Sequence, residues 1–313
     1  MSEPFSESHH TASSTSLPHY LGAQLPLSGL TTFLLDVFQR QAAKRSPAEL
    51  LAAYRQNRFV KPSAVDPVSF REFELLWLKT ARQQGFQALE LSPVAPLGAC
   101  SAVGTVHQNK VLSALRGTEV VADATNVLAL ESSVVRQAAG FPAKPLHYCT
   151  VHRHVRTQVL NFPGFTPHFS IFCLTSAGRD AGHFQFEKTT LTQHIALYVQ
   201  LLTNLLGKQH LTITLKALDP DDGANLLFEA MLERVQDRFS DLPIDVQRMP
   251  RDRQQYYRSL QFGITINHQG QSLPIADGGF TSWTRQLTGN KKERFLSSGI
   301  GLELLWKLLN AKL

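Results

Sequence analysis

The stretch Ser298-Gly299-Ile300-Gly301-Leu302-Glu303-Leu304 decides how this chain is read. Two glycines precede Leu302–Leu309, which reads as a closing helix, so the segment is a glycine-rich turn from strand to helix. A backbone without Cβ atoms at Gly299 and Gly301 lets a flat ring or a phosphate approach closely. Working back toward the N-terminus, Leu260–Asn267 and Ile244–Arg248 alternate like strands. Between the strand Leu211–Leu215 (LTITL) and these lies a helix capped by Asp221-Asp222-Gly223, with Leu226, Leu227, Met231, Leu232 and Val235 inward. Leu191–Leu206, closed by Gly207, is an amphipathic helix. His147–Val151 and His168–Thr175 are strand-like, joined by a loop holding Asn161, Pro163 and Gly164. No repeat is present, and strands and helices mix without a regular β-α-β alternation. The fold class expected is α+β, an antiparallel sheet flanked by helices.

Further back, Thr125-Asn126 opens a helix through Leu128, Leu130 and Val134, and Phe86–Leu91 alternates like a strand until Pro93 and Pro96 break it. Asp66-Pro67 opens a helix with Phe70, Phe73, Leu76, Trp77 and Ala81 on one face, and Gly85 is placed to end it. Ser46-Pro47-Ala48-Glu49 is a capping box for a short helix to about Arg55. Leu30, Phe33, Leu34, Val37 and Phe38 recur at helical spacing. Residues 1–25, rich in Ser, Thr, His and Pro, show no period. The division expected is a flexible tail over 1–25, a helical lead-in over 26–65 and a core domain over 66–313.

Composition narrows the class. The chain has 313 residues, 43% hydrophobic and 18% charged, enough to bury a large core and unlike a disordered or collagen-like sequence. Three cysteines, Cys100, Cys149 and Cys173, at wide spacing suit a reducing cytoplasm. No apolar run is long enough for a membrane helix, and the N-terminus lacks a signal-peptide pattern. A net charge of +6 is too diffuse for a polyanion binder but compatible with one small anionic ligand.

Several separated segments carry chemistry. They are the helix 66–85 with its proline-ended strand; Glu119–Thr125 entering a helix; His152-Arg153-His154-Val155-Arg156, then His168-Phe169; Gln255-Tyr256-Tyr257, with Arg253 before and Phe262 after; Asp277-Gly278-Gly279-Phe280; and Ser298–Leu304. In this order they resemble the class II aminoacyl-tRNA synthetase catalytic core, in the histidyl-tRNA synthetase branch that includes the regulatory subunit of ATP phosphoribosyltransferase. The resemblance runs from about Asp66 to the C-terminus. It implies that Asp123 and Thr125 hold a substrate amino group, with Arg253, Tyr256, Tyr257, Gly278 and Gly279 completing the substrate pocket. It implies that Arg153 is the catalytic guanidinium on the α-phosphate, and that His168, Phe169, Gly299, Gly301 and Glu303 join it around a nucleotide, ATP with Mg²⁺. It also implies a homodimer through the 66–93 segment. The chemistry is sound on its own terms: a guanidinium offers bidentate, charge-assisted donors to a phosphate, and paired tyrosines give a rigid wall with hydroxyl handles.

Two positions depart from the pattern. Val155 stands where the second motif carries an acid, and Leu304 where the third carries the arginine that grips the terminal phosphates. Arg156, Arg251, Arg253, Lys291, Lys292 and Arg294 are the cations available to compensate. The chain ends at Leu313, directly after the third motif, which leaves no room for an anticodon-binding domain and argues against tRNA charging. Each motif also has a plain structural reading. Arg153 alone reads as a salt-bridging arginine, Tyr256-Tyr257 as half-buried sheet aromatics, Asp277-Gly278-Gly279 as a turn, Thr125 as part of a helix N-cap, and Lys291–Arg294 as a solvated face. Cys149, His152 and His154 have no common zinc spacing, and no metal site is expected. Asp219–Gly223 is a turn and cap rather than a calcium loop.

Three functions follow as expectations. The first is a cytoplasmic synthetase-core paralogue that binds an amino acid or adenine nucleotide, in regulation or within a complex with a protein partner. The second is an ATP-dependent ligase that adenylates an amino acid or other carboxylic acid for a non-tRNA acceptor. The third is a dimeric scaffold without a ligand.

Overall fold

The structure, a computed structural model, describes residues 16–104, 106–158, 165–218, 222–249 and 256–310. The loop residues Asn161, Pro163 and Gly164, the cap residue Asp221, and Arg251 and Arg253 lie outside them. The described residues begin with Ser16–His19 (α1) and a helical turn over Tyr20–Gln24, although the sequence there shows no period. Leu27–Ala43 (α2), Pro47–Gln56 (α3) and Pro67–Gln83 (α4) follow. The capping box at α3 is formed: Ser46 accepts the Glu49 N–H, and the Glu49 carboxylate accepts the Ser46 N–H at 2.7 Å. Asp66 caps α4 by accepting the Ser69 N–H at 3.0 Å, and Gly85 closes it at φ 89°. α2 and α3 bury none of their residues, whereas α4 buries Phe70, Trp77 and Ala81.

Gln87–Ala88 (β1), Val94–Pro96 (β2), Ser113–Ala114 (β3) and Thr118–Val120 (β4) are short. Only two residues of the expected 86–91 strand pair, because the chain then leaves the large sheet at Ser92-Pro93 to join a small one ordered β2-β4-β3. The remaining elements are Ala124–Ala138 (α5), Leu146–Val155 (β5), His168–Arg179 (β6), Gln185–Leu206 (α6), Leu211–Ala217 (β7), Asp222–Arg238 (α7), Ile244–Arg248 (β8), Arg258–His268 (β9), Gln271–Thr281 (β10), Trp283–Thr288 (α8), Glu293–Ile300 (β11) and Leu302–Leu309 (α9). Eight strands form one sheet in the order β1-β5-β6-β11-β10-β9-β7-β8. Its six middle strands are antiparallel, as the α+β reading requires. Its edge pairs β1/β5 and β7/β8 are parallel, since each is joined through a helix rather than a hairpin.

One face of the sheet is packed with helices. Phe172 and Leu174 of β6 point to this side, where Trp77 of α4 meets Phe172 with ring centroids 5.3 Å apart, and Tyr198 of α6 joins them. A buried polar chain runs through it: His147 to Ser176 (2.7 Å), Ser176 to His194 (2.9 Å) and His194 to Ser298 (2.8 Å), with Tyr198 on Ser298 at 2.9 Å. Burial holds both histidines below their usual pKa, in the neutral form that such a chain needs. The other face carries Ile171 and Cys173 of β6. α5 covers its β5 side and is locked down by a buried fork from Arg136 to both oxygens of Glu293, at 2.5 and 2.9 Å. That fork corrects the reading of 291–294 as a solvated face, because Glu293 is buried. The rest of this face, toward β8, is open. No helix among the described residues is long and apolar enough to cross a membrane.

Candidate functional site

The open face forms a cleft of about 540 Å³ that crosses the sheet from β5 to β8. A side lobe of about 390 Å³ shares Asp123, Arg156, Tyr256, Tyr257, Gln261 and Asp277 with it. Strand alternation explains which side chains reach the cleft. On β5, His154 pairs with Phe169 and faces the open side, while Arg153 pairs with Ser170 and faces the helices. Continuing the period brings Arg156, just past β5, to the cleft.

Asp123 is the N-cap of α5 and the most constrained acid in the cleft. Its Oδ1 accepts the Thr125 N–H at 2.9 Å and the Thr125 hydroxyl at 2.7 Å, and its Oδ2 accepts the Tyr256 hydroxyl at 2.8 Å. Burial acts to raise its pKa, but the Arg156 guanidinium and the Thr125 and Tyr256 hydroxyls oppose it, and the carboxylate is held below its usual value. Three of about four acceptor sites are filled, leaving one on Oδ2 for a donor in the cleft. His154 positions this cap: its Nε2 accepts the Ala124 N–H at 3.0 Å. Burial pushes the His154 pKa down to about 3, so the ring is neutral and its hydrogen sits on Nδ1, which has no partner among the described residues. Burial likewise keeps Tyr256 and Tyr257 protonated. Tyr256 stands edge-on to both Tyr257 and Trp283, with centroids 4.8 and 4.9 Å away.

Arg156 is fixed at its base. Its Nε donates to the Ala122 carbonyl at 3.0 Å, and the guanidinium lies 5.3 Å from the Phe169 ring centroid. No other hydrogen bond to it is formed among the described residues, so Nη1 and Nη2 face the cleft as free donors. Asp277 lies on the floor, open to cleft water yet walled in by protein. This burial lifts its pKa to about 6, Asp123 adds to the rise, and Arg156, Lys216 and Gln261 oppose it. Gly263, Gly299 and Gly301 leave the floor flat, and a Cβ on Gly301 would meet only ordinary contacts.

The expected site residues therefore divide. Asp123, Thr125, Tyr256, Tyr257, Gly299 and Gly301 line the cleft together. Arg153, His168 and Glu303 do not reach it and form their own cluster on the helical face. Arg153 pairs with Glu303 at 2.9 Å and contacts His168 at 2.9 Å, His168 contacts the Lys61 carbonyl at 2.5 Å, and Lys307 pairs with Glu303 at 2.9 Å. The catalytic expectation for Arg153 is thus corrected, since the two-residue strand period turns it away and places Arg156 in the cleft. Phe169 backs Arg156 instead of lining the cleft. Gly278 and Gly279 are corrected as well. A Cβ on Gly278 would stand 2.4 Å from Ser298 Cβ, and one on Gly279 2.6 Å from the Tyr257 ring, so both glycines make room for the protein's own side chains. Leu304, at the position of the missing arginine, packs against the core. Arg253 lies outside the described residues. Composition gave no hint of Lys216, Asp245 or Gln261, but alternation along β7, β8 and β9 would have placed them on the open face.

Apo histidyl-tRNA synthetase of S. aureus matches with a TM-score of 0.60 at 12% identity, over 80% of this chain and 68% of that one. An ATP phosphoribosyltransferase regulatory subunit/histidyl-tRNA synthetase from Bacillus halodurans matches at 0.60 and 10% identity, over 80% of this chain and 83% of that one. The chain has the fold of a class II aminoacyl-tRNA synthetase core. A histidine–tRNA ligase subunit from Alicyclobacillus acidocaldarius matches this synthetase-like core at 0.57 and 12% identity, over 82% of this chain and 97% of that one. At these identities the likeness is one of fold. No protein-family model and no curated protein matches the sequence.

Proposed function

We propose that this synthetase-like core binds an amino acid as its zwitterion and acts in regulation or within a complex rather than in charging tRNA. The observation that carries the reading is the pairing, in one cleft, of an ionised Asp123 with one free acceptor site and an Arg156 with free Nη donors. An ammonium satisfies the first and a carboxylate the second. Both are charge-assisted hydrogen bonds on rigidly held partners, which lowers the ordering cost of binding. Tyr257, Ile171 and Cys173 wall the pocket, and Asp277 and Gln261 remain for the ligand's side chain. A triphosphate with Mg²⁺ fits less well. Among the described residues the main cleft offers it Arg156 and Lys216 against Asp123, Asp245 and Asp277, and Leu304 supplies no cation.

Calorimetry of the full chain against the twenty amino acids, with and without ATP, tests the reading. Binding by at least one without ATP is expected, and binding by none of them refutes it. A second reading, adenylation of a carboxylic acid for a non-tRNA acceptor, is favoured only by a second cation, Lys216, lining the same cleft as Arg156. It requires acid-dependent exchange of labelled pyrophosphate into ATP. A homodimer in a reducing cytoplasm accompanies the proposal, and light scattering at micromolar concentration checks the dimer.

A further inference from the structure

A second cavity, of about 630 Å³, lies between the start of α6 and the ends of β9, β10 and β11, and shares no lining residue with the cleft. Its lining holds three arginines and three acids, but they are unevenly paired. Arg294 is taken by Asp180 at 2.6 Å and by Glu187 Oε1 at 3.3 Å, and Glu293 by the Arg136 fork. Arg258 and Arg285 remain, both exposed and with no ion pair or hydrogen bond among the described residues. Ser282 Oγ accepts from Gln286 at 2.7 Å, which leaves its own hydrogen to donate.

Glu187 supplies the second, independent observation. It is only 6% exposed, lines this cavity, and its Oε2 has no partner among the described residues. A buried acceptor without a donor is costly unless something fills the need. Burial raises the Glu187 pKa above its usual value, with Asp180 adding to the rise and Arg294 and the residue's own backbone N–H opposing it. The cavity wall also holds three non-glycine residues in the left-handed region, His183 (φ 48°), Phe184 (φ 57°) and Ser259 (φ 59°). Such conformations persist only where the surroundings fix them, and they concentrate at ligand sites.

We propose that this cavity is a second ligand site, for a small phosphomonoester that carries an amine. The phosphate takes the forks of Arg258 and Arg285 and the Ser282 hydroxyl, more donors than one carboxylate can accept. The ammonium supplies Glu187 Oε2 with its missing donor. The site stands apart from the reading of the cleft, although Arg258 follows directly on Tyr256 and Tyr257.

Calorimetry of the full chain at fixed ionic strength with O-phosphoethanolamine, inorganic phosphate and ethanolamine tests the proposal. O-phosphoethanolamine binds best, phosphate more weakly and ethanolamine not at all. Arg258→Ala and Arg285→Ala each weaken binding about tenfold or more, as for the loss of a charge-assisted bond. Neither residue holds the fold through a described partner, so circular dichroism melts of both variants match the parent chain. Glu187→Gln weakens O-phosphoethanolamine and leaves inorganic phosphate unchanged. Arg156→Ala leaves binding intact, which separates this site from the cleft. The proposal is overturned if O-phosphoethanolamine does not bind at millimolar concentration, if the Arg258→Ala/Arg285→Ala double variant binds as well as the parent, or if Arg156→Ala abolishes binding instead.

Discussion

Replacing Arg156 and Arg153 in turn by alanine separates the cleft from the cluster behind it. In the parent chain Arg156 donates once to Ala122 and packs on Phe169, and its Nη atoms meet the cleft. Arg156→Ala removes one neutral-acceptor bond, about 1 kcal/mol, and a cation–π contact of about 0.5–1 kcal/mol, so the fold survives. The ligand carboxylate, however, loses charge-assisted bonds of about 1.5–3 kcal/mol each. At 1.4 kcal/mol per tenfold, affinity falls by roughly tenfold to a hundredfold for one bond and further for a fork. Arg153→Ala acts in the opposite sense. Glu303 is 1% exposed in its side chain and keeps Lys307 after the change, so stability drops by about 1–3 kcal/mol while affinity is unchanged. Calorimetry with the best-binding amino acid, paired with urea denaturation, reads both quantities on both variants. Loss of affinity in Arg153→Ala with none in Arg156→Ala would refute the strand-register argument.

Tyr256→Phe keeps the ring packing on Trp283 but strips Asp123 Oδ2 of its donor, and denaturation should show about 1–3 kcal/mol of lost stability, with weaker amino-acid binding. Asp277 holds its proton more tightly folded, with a pKa of about 6, than at its ordinary 3.8, so its ionised form destabilises the fold above pH 6 and that penalty fades as pH falls toward 3.8. Asp277→Asn should therefore melt higher than the parent at pH 7.5, with the gap closing near pH 4; a gap that widens toward acid would contradict the assignment. Arg136→Ala strands a buried Glu293 and should cost about 3–5 kcal/mol in urea denaturation, whereas a double replacement by apolar residues of similar volume should cost much less.

How much of this was legible in the sequence depends on the range of the physics involved. Caps and periods are local, so Ser46, Asp66, Gly85 and Leu302–Leu309 read directly from neighbouring residues. The order of motif-like segments pointed to the right fold. It misplaced Arg153 by one strand face, because motif order carries no register and a shift of one residue reverses the side on which a chain points. The His152–Arg156 alternation contained the answer, since His154 and Arg156 must share a face. Gly278 and Gly279 misled for another reason. A glycine signals only that a side chain is excluded, and the excluding neighbours, Ser298 and Tyr257, are 20 and 22 residues away. The Arg136–Glu293 fork spans 157 residues and left no local trace, because Glu293 stands among Lys291, Lys292 and Arg294 like a surface charge.

The most direct test is a crystal structure of the chain with the amino acid that binds it most tightly. The ligand ammonium should lie roughly 2.7–3.2 Å from Asp123 Oδ2, with its carboxylate on the Nη atoms of Arg156. A ligand bound outside the Asp123–Arg156 cleft, or with its carboxylate on Arg153, would contradict the account.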